Sequence, residues 1–292
     1  DPCALSVDIP GAHTRLRPGA EKERVEVDIS VTGCPPEEAE QILDRMQVGT
    51  HQMKNTVRVY SDSERSDAVW WRWIRTLDVT IHVEMRLPSR VEAEIRVPGG
   101  EVDIADLKGH VDLKVMGGPC RVENLEGTLD IRAESSDVTI QDFTGEQLVA
   151  RVAVGSLTVE NIQAETLSVR SVAAPLSLSS VTGATKVTAK STPVDLEAVS
   201  GPCTAHVHGG ALTYDGAPAD ELELEVVGAS VDVLLPADHG ATLTMRGSSL
   251  TLDDTLAFEG EKTETEITGT LNDGGPSVTL TAVSGDVHCR AA

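Results

Sequence analysis

The stretch "GPCRVENLEG", residues 118–127, decides how this chain folds. A small residue opens it. Two apolar residues, Cys120 and Val122, follow with one polar residue between them, and Gly127 closes it. The same plan returns in "SDVTIQDFTG" (136–145), "GSLTVENIQA" (155–164), "APLSLSSVTG" (174–183) and "TPVDLEAVSG" (192–201). Aligned on the opening residue, the copies run from Gly100 to Ser248 in steps of 18 or 19 residues. Self-similarity at a short fixed period is the mark of a solenoid.

Within each copy, apolar and polar residues alternate, the period of a strand with one buried face. After the corner, one apolar column runs Val102, Cys120, Val138, Leu157, Leu176, Val194, Leu212, Val231, Leu250. Its neighbour runs Ile104, Val122, Ile140, Val159, Leu178, Leu196, Tyr214, Val233, Leu252. Two further columns precede the corner, through Ile95 and Leu113 and through Ala93 and Val111. Two short strands per copy, bounded by Gly, Pro, Ser or Asp, leave no room for a crossover helix. Each strand must pair with its counterpart in the next copy, in parallel and in register. The expected fold is therefore all-β, a right-handed parallel β-helix of about nine to ten coils stacked roughly 4.8 Å apart.

Residues 1–75 do not follow the repeat, and the pattern assigns them to an α+β cap on a solenoid spanning 76–292. "ERVEVDISVTG" and "NTVRVYSDS" alternate like strands. Between them "PPEEAEQILDRMQV" (35–48) places Ala39, Ile42, Leu43 and Met46 on one helical face. "WWRWIRTLDVTIHVEMRLP" then leads into the coils. An uncapped solenoid exposes unpaired backbone at its first coil, which gives such a cap its purpose. At the other end, the segment after Leu252 is too long for the period, so 253–265 carries an excursion. Val278 and Leu280 are expected to resume the two columns after the corner, with Gly285 on the closing-glycine position.

Composition narrows the function. Asp+Glu 47 against Lys+Arg 24 gives a net charge of −23, which disfavours nucleic acid and anionic membranes as partners. No apolar run is long enough to span a bilayer as a helix. A chain opening "DPCALS" reads as a trimmed, exported product, which would place it outside the cytoplasm once a signal peptide is removed. Of five cysteines, Cys120, Cys203 and Cys289 fall on inward positions and read as small buried hydrophobes. Cys3 and Cys34 lie outside the repeat and form the one candidate disulfide.

Outward positions carry any chemistry. Arg96, Lys114, Arg132, Arg151 and Arg170 occupy one outward column, with Glu94, Asp112 and Asp130 two residues earlier. This reads either as an ion-pair lattice or as a basic strip for acidic polysaccharide or a partner's carboxylates. Trp70, Trp71 and Trp73 read either as packing beneath the cap or as an aromatic ligand platform. Asp106, Asn124, Asp142 and Asn161 recur just before the residue that turns the coil, where Asx side chains bond their own turns. With Glu123 and Glu160 nearby, calcium is the competing reading. His206 and His208 lack an evident third ligand for zinc. No nucleophile elbow, zinc-protease motif or phosphate loop is present, and no cofactor is implied.

"RLPSRVEAEIRVPGGEVDIADLKGHVDLKV", with "AVSGPC" at 198–203 and "AVSGDVHC" near the end, resembles the bacterial adhesin-like family catalogued as domain of unknown function 4097. The likeness covers roughly 76–292 and implies an exported or envelope-facing β-solenoid without established catalytic residues. The resulting expectation is a non-enzymatic, adhesin-like binding or structural module whose partner is a protein or polysaccharide of the cell surface. Two alternatives stand beside it: a self-assembling β-helical scaffold, and a carbohydrate-active enzyme using Asp112 and Asp130 on acidic polysaccharide.

Overall fold

A computed structural model describes residues 3–20, 24–61 and 79–292. The described residues form 22 strands and one helix, so the protein is all-β with a single helical turn-out, and its strands stack as in a β-solenoid. The chain divides into two units, Asp1–Thr139 and Ile140–Ala292. The tryptophan cluster at 70, 71 and 73 lies outside the described residues.

In the first unit the repeat forms as its alternation requires. Arg90–Pro98 pairs in parallel with Lys108–Met116, Ile95 against Leu113, and Lys108–Met116 pairs with the next copy, Leu113 against Ile131. Val102–Ala105 pairs with the following copy, Ile104 against Val122. Like stands on like, and Ile95, Leu113, Ile131, Ile104 and Val122 are all fully buried.

The stack begins earlier than the sequence pattern suggests. Cys3–Asp8 lies in parallel between Thr56–Ser61 and Arg90–Pro98, with Leu5 against Ala93 and Val7 against Ile95. His13–Pro18 lies likewise between Thr80–Leu87 and Val102–Ala105. Residues 3–18 are therefore a coil rather than part of a cap. "IPGAHTRL" is a disguised copy of "VPGGEVDI", separated from it by the whole insertion between residues 19 and 89. Among the described residues, the strands Thr56–Ser61 and Thr80–Leu87 form the outermost coil, above the one that contains the first strand.

That outermost coil is closed by antiparallel strands: Glu26–Thr32 on Thr80–Leu87, and Val48–Met53 on Thr56–Ser61. The helix Pro36–Met46 buries Ile42 and Met46 and packs on Glu26–Thr32, while Ala39 and Leu43 stay half-buried. The Cys3–Cys34 bridge is not formed. Cys3 starts a strand paired on both sides, Cys34 sits between the strand Glu26–Thr32 and the helix, and both thiols are free.

The second unit repeats the plan. Val194–Ser200 pairs with the copy before it, Leu196 against Leu178, and Leu212–Asp215 follows, Tyr214 against Leu196. Tyr214 is fully buried, and its hydroxyl donates to the Val199 carbonyl at 3.3 Å. Ser277–Val283 then departs from sequence order. It lies in parallel between Leu222–Val227 and Ala241–Arg246. Asp286–Ala291 lies between Val231–Leu235 and Ser249–Leu252.

This corrects the expected register. Val278 and Leu280 stand beside Leu222 and Leu224, in the columns before the corner, and Gly285 lies over Ala229 at the corner itself. The surplus residues become a closure. Glu266–Leu271 pairs antiparallel with Ala241–Arg246, and Phe258–Lys262 pairs antiparallel with Glu266–Leu271. In each unit a chain terminus is slotted one coil in from the end, and antiparallel strands cover a sheet edge that could otherwise template another chain.

Candidate functional site

The outward column of cations is well ordered in the first unit. Arg96 stands beside Lys114, and Lys114 beside Arg132, directly after Asp8. Glu94, Asp112 and Asp130 align in the same register two residues away. The Lys114 ammonium lies 3.3 Å from Glu94 and 4.0 Å from Asp112, and the Arg132 guanidinium 3.5 Å from Asp130. Strand spacing brings like charges within about 5 Å, and the acids beside them offset that repulsion. Arg96 makes no ion pair among the described residues. In the second unit Arg151 and Arg170 are exposed, and Arg170 is followed in register by Thr188, His206 and Glu225. His206 Nδ1 lies 3.0 Å from the Glu225 carboxylate, and His208 is exposed.

The corners are built as Asx ladders. Asp106 and Asn124 both take left-handed backbone, at φ 60° and 51°, and the Asn124 amide donates to Asp106 Oδ1 at 2.6 Å. In the second unit Asp142 and Asn161 repeat this at φ 55° and 56°, with an amide-to-carboxylate bond of 3.2 Å. Short polar side chains accept that conformation and bond along the stack. Among the described residues no group of three or more His, Cys, Asp or Glu side chains could hold a metal ion.

The inward thiols are inert by burial. Cys120, Cys203 and Cys289 are at most 2% exposed, and desolvation pushes each thiol up to about 12. The Asp103 charge adds to the effect at Cys120, and that of Asp253 at Cys289.

One concave feature escaped the sequence pattern. In the first unit a half-open cleft of about 1610 Å³ lies at the start of Glu26–Thr32 and the end of Val48–Met53. Its lining combines apolar Val25, Val27, Val57 and Pro88 with Cys3, the bases Arg24, Lys54 and Arg90, His51, and the neutral polar Thr50, Gln52, Asn55 and Ser89. The helix packs on the strand Glu26–Thr32, and Ser61 Oγ donates to the Met46 carbonyl at its end; the cleft opens at the other end of these strands. Its cations come from residues 24 to 90, far apart in sequence and in no motif, so only the folded chain brings them together. A shallow hollow of about 160 Å³ in the second unit is lined by Ser177, Asp195, Glu197, Thr213 and Asp215 and carries no base.

Among curated proteins, none matches this chain. A solved structure from Clostridium sporogenes ATCC 15579, described as a "putative cell adhesion protein", aligns over 99% of this chain and 92% of its own at 10% identity, with a TM-score of 0.23. That likeness is too loose to carry weight. The family model described as Toastrack DUF4097 matches residues 43–290, most of the chain and nearly all of the stacked strands. By that match, this protein is a member of the Toastrack DUF4097 family.

Proposed function

We propose that this protein is a non-catalytic, adhesin-like binding module of the cell envelope or cell exterior. The observation that carries the reading is the register itself. Side chains of successive copies stand side by side along outward faces, as Arg96, Lys114 and Arg132 do, held in place by in-register parallel pairing. Among the described residues the connections between strands run from two to six residues, too short to wall a cleft around these faces. Asp112 and Asp130, the pair a hydrolase would use, flank cations in an ion-pair row. No helix among the described residues is long and apolar enough to cross a membrane, in keeping with a module that is exported whole or tethered by other means.

The test is a pull-down with the full chain against envelope fractions, together with fractionation of the producing cells. Recovery of a defined surface component by an extracytoplasmic protein supports the reading. A cytoplasmic protein that recovers nothing, or one that releases sugars from acidic polysaccharide, contradicts it.

A further inference from the structure

We propose that the cleft in the first unit is the ligand site, and that its ligand is an acidic polysaccharide, a sugar polymer bearing carboxylate or sulfate groups. The inference rests on the binding-module reading above and adds a place and a chemistry to it.

The first observation is charge. The chain holds 47 acids against 24 bases, yet among the described residues the cleft is lined by three bases and a histidine and by no carboxylate. The second is availability. Arg24 is held by Glu26 at 3.6 Å, but Lys54, Arg90 and His51 make no ion pair among the described residues. Arg90 stands in register beside Lys108, whose ammonium is already bound by Glu126. Arg90, which lines the cleft, makes no such pair among the described residues. On the outward face, by contrast, Lys114 and Arg132 are already partnered by acids, and among the described residues Arg96 alone of those three is not.

The remaining lining fits a sugar chain. Gln52, Asn55, Thr50 and Ser89 can both donate to and accept from hydroxyl groups, and the valines in the lining suit the apolar face of a pyranose ring. A volume of about 1610 Å³ exceeds what a single monosaccharide fills and is open at one side, as a polymer requires. The planar guanidinium fork of arginine and the point charge of the lysine ammonium both bind carboxylate and sulfate through charge-assisted hydrogen bonds, so the lining does not choose between them.

Titration calorimetry on the full chain decides the matter, with oligogalacturonate, heparin oligosaccharide and neutral dextran as probes. The expected result is binding of one or both anionic probes, weakened by raising salt, and none of dextran. Arg90→Glu and Lys54→Glu should each weaken it at least tenfold, while Lys186→Glu, an exposed change of equal charge on the second unit, leaves it unaltered. Oligogalacturonate binding alone assigns carboxylate sugars, and heparin binding alone assigns sulfated ones. No binding of either probe, or binding indifferent to Arg90→Glu and Lys54→Glu in variants with unchanged melting, overturns the proposal. If the envelope pull-down still recovers a component in that case, the module reading survives and only the cleft falls.

Discussion

The carbonyl oxygen of Gly109 lies directly against the α-carbon of Gly127 in the next copy, so closely that a β-carbon on Gly127 would stand 2.0 Å from it. Gly127 also has φ 138°, a backbone that L side chains rarely adopt. Backbone thus packs on backbone at this corner, and two independent restrictions exclude a side chain.

Gly127→Ala should therefore cost more than about 2 kcal/mol, combining a clash with backbone that cannot move and a strained φ. Chemical denaturation of the variant and the parent measures it. A change within about 0.5 kcal/mol would mean that the copies are not in such close contact.

Val154 presents the opposite case. It is 54% exposed and has φ 62°, at the corner position where other copies place Gly99, Gly117 or Ser135. A β-branched residue is ill suited to left-handed backbone, and it gains little burial there. Val154→Gly should stabilise the protein by about 1 kcal/mol, the relief of strain outweighing the extra chain entropy of glycine. Thermal melting gives the sign, and a lowered midpoint would contradict it.

The ion-pair row on the outward face is exposed, so its members should matter little to stability. Lys114→Ala should change the unfolding free energy by no more than about 1 kcal/mol, and less at high salt. A loss of several kcal/mol would assign Lys114 a structural role that its exposed pairs with Glu94 and Asp112 do not provide.

The buried thiols predict a pH dependence. Burial raises Cys120, Cys203 and Cys289 from the ordinary 9.0 to about 12, so the folded protein holds these protons through a range where the unfolded chain releases them. The stability they contribute is complete below pH 9 and is lost as the pH climbs toward 12. A thiol reagent at pH 8 should leave these three unlabelled until denaturant is added. Mass spectrometry of the labelled peptides reads this directly, and rapid native labelling of Cys120 would refute its burial.

Much of the fold was legible because the repeat is written twice, as apolar alternation and as glycine spacing. Val138 and Leu157 are buried as the alternation demands, and Asp106 and Asn124 turn their corners as Asx residues do. The strands near both ends depart from the order the pattern suggests, for one physical reason. Periodicity reports which residues make a coil, but it does not report the order in which coils stack. Residues 3–18 carry a legible copy in "IPGAHTRL", yet their partners lie beyond residue 89. Val278 and Leu280 likewise fit either apolar pair of columns, and only strand pairing assigns them to Leu222 and Leu224. The cleft was illegible because Arg24, Lys54 and Arg90 share no spacing; antiparallel closure brings them together.

The most direct test is disulfide trapping of the last strands. Glu223 and Thr279 are register partners, as are Thr244 and Thr279. Neighbouring parallel strands hold their α-carbons within the span a disulfide bridges. Paired substitutions Glu223→Cys with Thr279→Cys, and Thr244→Cys with Thr279→Cys, should each cross-link readily in the folded protein, while Glu223→Cys with Thr242→Cys should not. If the last pair cross-links and the first two do not, the copies stack in simple sequence order and the slotted terminus is wrong.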